Sequence, residues 1–226
     1  MTHPGVPQCG TPFFRRNAME QKIDNYQIQA QRARQRFLTY DQQQIIAKSP
    51  LTFDDDYLYL PVLDRTCMIQ RQTGELFWQA GGVCTPSHDP SDAMTIFDYL
   101  CDSRRDRCLS GEFIAMANFG HQFHSGLLES GAPSALERRA DQDLPGFCRA
   151  CRALGGEPVT GGDAGFRLRF FPDLPVVLRF WASDEEFPAQ LRFYWDKNTL
   201  FYLRYETMYY ALGILQSRLL YLINQV

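Results

Sequence analysis

The sequence predicts an α+β fold, with a mainly antiparallel sheet and helices packed on it. Short apolar runs bounded by turn residues recur in two parts of the chain, at residues 57–79 and 166–195. Apolar residues at helical spacing lie before, between and after these parts. Each part contains three predicted strands followed by a helix. The pattern therefore also predicts pseudo-duplicated β-β-β-α units, although no residue identity links them.

The first 48 residues are predicted to be a tail and a helical segment. Residues 1–16 contain three prolines and two glycines and lack a periodic apolar pattern, which indicates a flexible tail. Residues 17–48 carry apolar side chains at steps of three and four from Met19 to Phe37, so one face of a helix is apolar. The rest of the chain, 49–226, is predicted to form a single α+β domain.

Turn residues and caps set the element boundaries in this domain. Asp89 can cap a helix that has Pro90 at its first position. The last helix is apolar on more than one face, which indicates burial on several sides. The predicted strands are 57–63, 66–71, 75–79, 166–171, 176–181 and 191–195, with helices at 89–101, 134–145, 147–154 and 205–224 and a loop at 119–133.

Composition argues against several classes of partner. The chain has 226 residues, a net charge of -3 and a pI of about 5.8, so no global field attracts nucleic acid or an anionic membrane. No apolar run approaches the roughly 20 residues that span a bilayer, and no signal-peptide pattern is present. We therefore expect no nucleic-acid partner, no membrane partner and a cytoplasmic location. The seven cysteines are an odd number, which indicates free thiols in a reducing compartment.

A set of short motifs resembles a known family. The most specific is Trp-Ala-Ser-Asp-Glu-Glu-Phe-Pro at 181–188, accompanied by Leu-Ser-Gly at 109–111, Leu-Gly-Gly at 154–156 and Phe-Tyr-Trp-Asp at 193–196. Over residues 47–220 the chain resembles the bacterial and archaeal family called domain of unknown function 3786, found mainly in anaerobes. The resemblance implies no assigned activity, cofactor or catalytic residue.

The first candidate site is a group of acids and rings around the turn that follows residue 181. If the three C-terminal strands are adjacent, we expect this turn to meet Asp163 and Asp196. Clustered carboxylates can hold a divalent cation or divide into a general acid and a general base. The structural alternative is that they cap turns or are solvated. The candidate ligand-binding residues are Asp163, Trp181, Asp184, Glu185, Glu186, Phe187, Asp196 and Glu206.

Arginines accompany these acids. Arg167 and Arg169 lie on one face of their strand, because side chains alternate along a strand. Cross-strand pairing of arginines with acids would form a charge ladder, which we favour; the alternative is an anionic ligand held by bidentate contacts. The other arginines available for either role are Arg179, Arg192 and Arg204.

The second candidate site combines two histidines and two cysteines. His121, His124, Cys148 and Cys151 could hold zinc, since four such ligands make a tetrahedral site. The alternative, which we favour, places both cysteines on the buried face of a helix.

The leading functional hypothesis is a small-ligand or cofactor binding protein with an aromatic and acidic pocket. The pocket would lie between rings of the C-terminal sheet and Tyr205 and Tyr209 of the last helix. The rings are Phe180, Trp181, Phe187, Phe193 and Trp195. One alternative is a hydrolase-type or lyase-type enzyme that uses the carboxylate cluster, with or without a divalent metal. The other is a non-catalytic interaction module that meets a partner or a second copy of itself. The sequence identifies no cofactor.

Overall fold

Two five-stranded antiparallel sheets and six helices make up residues 16–119 and 134–225, which are the residues that this computed structural model describes. The helices are α1 (Arg16–Thr39), α2 (Gln42–Lys48), α3 (Pro90–Asp102), α4 (Ala135–Gln142), α5 (Leu144–Ala153) and α6 (Tyr205–Ile223). The strands are β1 (Thr52–Phe53), β2 (Tyr57–Val62), β3 (Arg65–Gln70), β4 (Leu76–Ala80), β5 (Val83–Pro86), β6 (Phe113–Ala115), β7 (Glu157–Pro158), β8 (Ala164–Phe171), β9 (Leu174–Trp181) and β10 (Gln190–Asp196). The predicted α+β class is confirmed.

The N-terminal sheet is a simple meander in the order β1-β2-β3-β4-β5. Its register pairs Leu60 with Cys67 and Cys67 with Trp78, so these side chains share the face that packs on the core. The sequence did not predict β5, because its four residues are all exposed and carry no alternating pattern. Gly81 and Gly82 have positive φ values of 55° and 80° and form the turn into this strand, whereas the sequence predicted only that they end the preceding strand.

The C-terminal sheet has the order β6-β10-β9-β8-β7. Alternation along β8 buries Phe166, Leu168 and Phe170, while the intervening arginines are exposed. The register pairs Phe166 with Leu178, and Trp195 with Val176, so all three central strands bury one apolar face. The opposite face of this sheet carries polar and aromatic side chains.

The strand order and direction that a duplicated unit requires are both present. In each half, three consecutive strands form an antiparallel meander and a helix follows: β2-β3-β4 with α3, and β8-β9-β10 with α6. The outermost strand differs, since β5 follows β4 directly whereas β6 precedes its whole sheet in the chain. The two halves therefore share a core plan but not a complete topology.

The two sheets and the helices share one hydrophobic core. Helix α3 contacts both α1 and α6, and the rings of Phe37 and Phe97 stack at 4.9 Å between α1 and α3. The backbone N–H of Leu63 donates to the carbonyl of Phe170 at 3.0 Å, which joins the two sheets. Because both halves pack on this single core, the helices and sheets that border each surface cleft have fixed positions relative to one another.

Local capping explains where the helices begin. Asp89 accepts from the backbone N–H of Ser91 at 2.8 Å, as predicted for the start of α3. The N-terminal helical segment is divided in two, because Asp41 caps α2 through the N–H of Gln43. Residues 1–15 of the predicted tail and residues 120–133 of the predicted loop lie outside the described residues. Within the described ranges, no helix has the length and apolar character needed to cross a membrane.

Candidate functional site

The predicted acidic site does not assemble, because its members lie at opposite ends of the C-terminal sheet. Strand β10 begins with Gln190 opposite Trp181 and ends one residue beyond Trp195, which pairs with Val176. Its length of about six steps of 3.3 Å places Asp196 about 20 Å from the end where the 181–188 turn lies. The prediction that Asp163, Asp184 and Asp196 meet is therefore wrong, because Asp196 lies at the other end of the strand.

The acids at the near end hold local backbone turns. Asp163 accepts from the N–H of Ala182 at 2.8 Å. Asp184 accepts from the N–H groups of Glu186 and Phe187 at 2.8 and 2.7 Å, and these bonds lower the pKa of its carboxyl. The side chains of Glu185, Glu186 and Phe187 are exposed. This arrangement matches the structural alternative, in which an acid organises its own turn.

Asp196 is a buried anchor. Its carboxylate is 0% exposed and accepts from Ser110 N–H at 3.0 Å, Ser110 Oγ at 3.0 Å and Gly111 N–H at 2.8 Å. A fourth bond comes from the N–H of Asn198 at 2.9 Å. The Leu-Ser-Gly and Phe-Tyr-Trp-Asp motifs that carried the family resemblance thus meet at this carboxylate.

The pocket predicted between the C-terminal sheet and α6 is filled by core. Phe180 and Trp195 are fully buried, and Phe180 contacts Phe147 with ring centroids 5.5 Å apart. Phe147 belongs to α5, so this helix covers the core face of the sheet at Phe180 and leaves no open space beside that ring. Glu206 is exposed beside a shallow cleft that Arg36 and other residues line.

The zinc hypothesis is divided between described and undescribed residues. His121 and His124 lie outside the described residues. Cys148 is half-buried and Cys151 fully buried on α5, and burial raises the pKa of the Cys151 thiol. The part of the chain that the structure describes contains no group of three or more potential metal ligands, and none of its cysteines forms a disulfide. The zinc site stays a prediction.

A cleft of about 540 Å³ opens between the N-terminal sheet, the start of α3 and the middle of α6. We call it the Arg65–Trp78 cleft. Its lining residues are Arg65, Trp78, Pro86, Ser87, His88, Asp89, Ser91, Asp92, Tyr209, Tyr210, Gly213, Ile214, Ser217, Arg218 and Tyr221. It combines aromatic walls with charged groups and the last helix, as the predicted pocket did, but it lies against the other sheet.

Arg65 is the unusual cation of this cleft. Its guanidinium lies over the Trp78 ring, with Cζ 4.1 Å from the ring centroid. Its Nε is buried without a hydrogen-bond partner, and within the described residues Arg65 forms no ion pair. Burial, with the nearby charge of Arg218, lowers the pKa of the guanidinium. The sequence held a signal for this residue, since alternation from Cys67 and Ile69 places Arg65 on the core face of β3.

Asp92 fixes the tryptophan. It is 8% exposed, and the Trp78 indole N–H donates to its Oδ2 at 2.6 Å. The Ser87 hydroxyl donates to the same oxygen. Burial raises the pKa of Asp92, although both hydrogen bonds act in the opposite direction. The ring beneath Arg65 is therefore held by a carboxyl group that is costly to ionise.

Asp92→Asn is expected to change how stability depends on pH. Because the folded-state pKa of Asp92 lies above the ordinary value of 3.8, the native state binds more protons than the unfolded state just above that value. The contribution of Asp92 to stability is thus present at low pH and lost as the pH rises through its folded pKa. The asparagine variant, whose amide oxygen can accept both hydrogen bonds, should be at least as stable as wild type at neutral pH.

Urea denaturation of both proteins at several pH values checks this expectation. The advantage of Asp92→Asn should shrink as the pH falls towards 3.8. Asp92→Ala is the matched comparison, because it removes both hydrogen bonds and should be about 1–3 kcal/mol less stable than Asp92→Asn at every pH. A constant difference between wild type and Asp92→Asn would contradict the charge argument.

Helix α6 leaves space in the wall of the cleft. A Cβ added at Gly213 would meet no atom within 4 Å. Glycine inside a helix costs about 0.5–1 kcal/mol relative to alanine, so this position gives up stability while keeping the cleft open. Arg218, on the next turn, is neutralised by Asp64 through Nη2–Oδ2 and Nε–Oδ1 contacts of 2.6 and 3.0 Å. Arg65 therefore remains the cation of the cleft that forms no ion pair among the described residues, and the charges of Asp92 and Asp64 act on it only from beyond ion-pair distance.

The fold and the cleft together define a class: an α+β protein in which two antiparallel sheets share one core and a ligand-sized cleft separates the first sheet from the last helix. The chain belongs to the family described as Domain of unknown function (DUF3786), whose sequence model matches residues 41–218. This match confirms the resemblance seen over residues 47–220. Comparison with curated proteins found no match, and comparison with solved structures found none.

Proposed function

We propose that this protein binds a small anionic molecule with a planar body in the Arg65–Trp78 cleft. The observation that carries the proposal is the Arg65 guanidinium, which is half-buried and stacked on Trp78 but has no carboxylate partner among the described residues. Small-molecule sites are usually concave, largely apolar and supplied with a few directed polar groups.

An anion is favoured by the energetics of Arg65. Burying a charge without a counter-ion costs free energy, and a ligand carboxylate or phosphate would supply the missing partner. The guanidinium presents a planar fork of donors that pairs with either group through two parallel hydrogen bonds. Because the guanidinium already lies over the Trp78 ring, which Asp92 holds in place, little conformational entropy remains to be lost on binding.

The aromatic side chains that line the cleft favour a ligand with a planar body. Trp78 lies on one side of the cleft, and Tyr209 and Tyr210 of α6 line another. Its volume of about 540 Å³ falls within the usual range for small-ligand sites of about 300–1,000 Å³. The side-chain-free position at Gly213 gives a ring room to enter.

Ligand titration tests this proposal. Benzoate and phenyl phosphate are expected to raise the melting temperature and to change the fluorescence of Trp78, whereas benzylamine should do neither. Arg65→Met should weaken anion binding by about 10- to 100-fold, because a charge-assisted hydrogen bond contributes about 1.5–3 kcal/mol. Arg105→Met, in the exposed turn after α3, is the control and should bind normally. Equal responses to benzoate and benzylamine would overturn the anion assignment.

Two substitutions at Gly213 test whether anion binding requires the open space of the cleft, without changing its charge. Gly213→Ala should stabilise the protein by about 0.5–1 kcal/mol and keep binding, because its methyl group meets no neighbour. Gly213→Phe should fill the cleft and abolish anion binding with little loss of stability. Full binding by the phenylalanine variant would exclude this cleft as the site.

A further inference from the structure

A second charged surface lies on the outer face of the C-terminal sheet, away from the Arg65–Trp78 cleft. We call it the arginine face. Because side chains alternate along β8, β9 and β10, and the register pairs Arg179 with Arg192, four arginines project from the same face. They are Arg167, Arg169, Arg179 and Arg192. The side chains of Arg167 and Arg169 are 49% and 75% exposed.

Acids on this face are few. Glu157 of β7 forms ion pairs with Arg167 and, at 3.9 Å, with Arg169. No carboxylate of the described residues forms an ion pair with Arg179 or Arg192. The predicted charge ladder is therefore present only at the β7 edge, and the centre of the face keeps an excess of positive charge.

The two central arginines of the face lie side by side although their like charges repel each other. Arg179 and Arg192 are direct cross-strand neighbours, and like charges in that position are destabilising. Each stacks on a ring instead: Arg179 lies 5.0 Å from the centroid of Tyr194, and Arg192 lies 5.3 Å from that of Trp181. The Nε of Arg179 is buried without a hydrogen-bond partner. A local conflict of this kind in a well-formed sheet is typical of a functional surface.

We propose that the arginine face binds an acidic, carboxylate-rich peptide segment of a partner protein. Glu157 already shows how a carboxylate is held here, between two arginines of β8. A partner's carboxylates would neutralise Arg179 and Arg192 in the same manner, through bidentate contacts. The face lies on the other sheet from the cleft, so this proposal does not depend on the proposed ligand.

Nucleic acid fits this face less well than a peptide. Proteins that bind single strands offer aromatic rings on which bases stack. Here Trp181 and Tyr194 each already carry a guanidinium of this chain. The net charge of -3 also provides no long-range attraction for a polyanion, so a short acidic segment is the better match.

Fluorescence anisotropy with a labelled hexaglutamate peptide tests the proposal. Wild type should bind the peptide at about 20 mM salt and lose most of the binding at about 200 mM, because exposed charges are screened. The double variant Arg179→Gln, Arg192→Gln should bind at least about 10-fold more weakly, as expected when two charge-assisted contacts are lost. Arg105→Gln, which removes an exposed arginine outside this face, should bind like wild type.

Two further measurements identify the class of partner and show whether a variant is still folded. A six-nucleotide oligothymidylate with the same label should bind more weakly than hexaglutamate, and tighter binding would overturn the peptide assignment in favour of nucleic acid. Arg192→Gln alone should not lower the melting temperature, because it removes a like-charge neighbour. Absence of hexaglutamate binding by wild type at low salt, or unchanged binding by the double variant, would also overturn the proposal.

Discussion

Asp196→Ala is expected to lower the free energy of unfolding by about 3–6 kcal/mol, the largest effect of any single substitution considered for this protein. The variant leaves three backbone N–H groups, those of Ser110, Gly111 and Asn198, without their acceptor. These donors are part-buried and face a fully buried carboxylate, and a donor of this kind left unsatisfied costs about 1–3 kcal/mol. Most small domains have only about 5–15 kcal/mol of stability, so this variant is expected to lose a large fraction of its stability.

Asp196→Asn separates charge from geometry at this position. Three of the four donors meet Oδ1 and only the N–H of Gly111 meets Oδ2. An asparagine oxygen in the Oδ1 position would keep the first three bonds, and its amide nitrogen would oppose the N–H of Gly111. We therefore expect about half the loss seen with alanine. Urea denaturation measures both variants, and a loss under about 1 kcal/mol for Asp196→Ala would show that water satisfies these donors.

The local part of this fold was predictable because its signals are local. Alternation along 57–62 and 166–171 identified β2 and β8, and the Asp89-Pro90 pair identified the start of α3. Short exposed strands such as β5 were not predictable, since four solvent-exposed residues without alternation resemble a loop.

The failure of the acidic cluster has a geometric cause. The prediction treated acids on either side of β10 as neighbours, whereas a strand of seven residues separates its two ends by about 20 Å. The length of the predicted strand 191–195 already implied that the acids before it and after it lie far apart. The location of the cleft, in contrast, depends on α6 packing beside the N-terminal sheet, and no local pattern indicates that a helix ending at residue 223 will lie beside Arg65.

The union of the two halves also depends on contacts between distant parts of the chain. Helix α3 belongs to the first half, yet its Tyr99 stacks on Phe171 of β8 with ring centroids 3.8 Å apart. The Tyr99 hydroxyl donates to Asp173, at the turn between β8 and β9. Arg107, which follows α3, donates to the same carboxylate. This group joins the first helix-and-sheet unit to the second, so it should determine whether the halves unfold together.

Asp173→Ala is expected to destabilise the protein by about 3–5 kcal/mol, because it strands a buried cation. The side chain of Arg107 is only 5% exposed, and its Nη2 lies 2.7 Å from Asp173. Its other hydrogen bonds, to Ser103 Oγ and the Tyr99 hydroxyl at 3.4 Å each and to the carbonyl of Arg104 at 3.2 Å, are long. The free energy of unfolding from urea titrations of the variant and wild type measures the loss.

The double variant Arg107→Met, Asp173→Ala distinguishes the stranded charge from lost packing. Methionine keeps much of the apolar stem of Arg107 against Tyr99 and Tyr202 but carries no charge. If the loss in Asp173→Ala comes from an unpaired buried guanidinium, the double variant should recover about half of it or more. Equal losses in the single and double variants would place the effect in the hydrogen bond from Tyr99 instead. Two separate unfolding transitions in Asp173→Ala would indicate that this carboxylate couples the two halves.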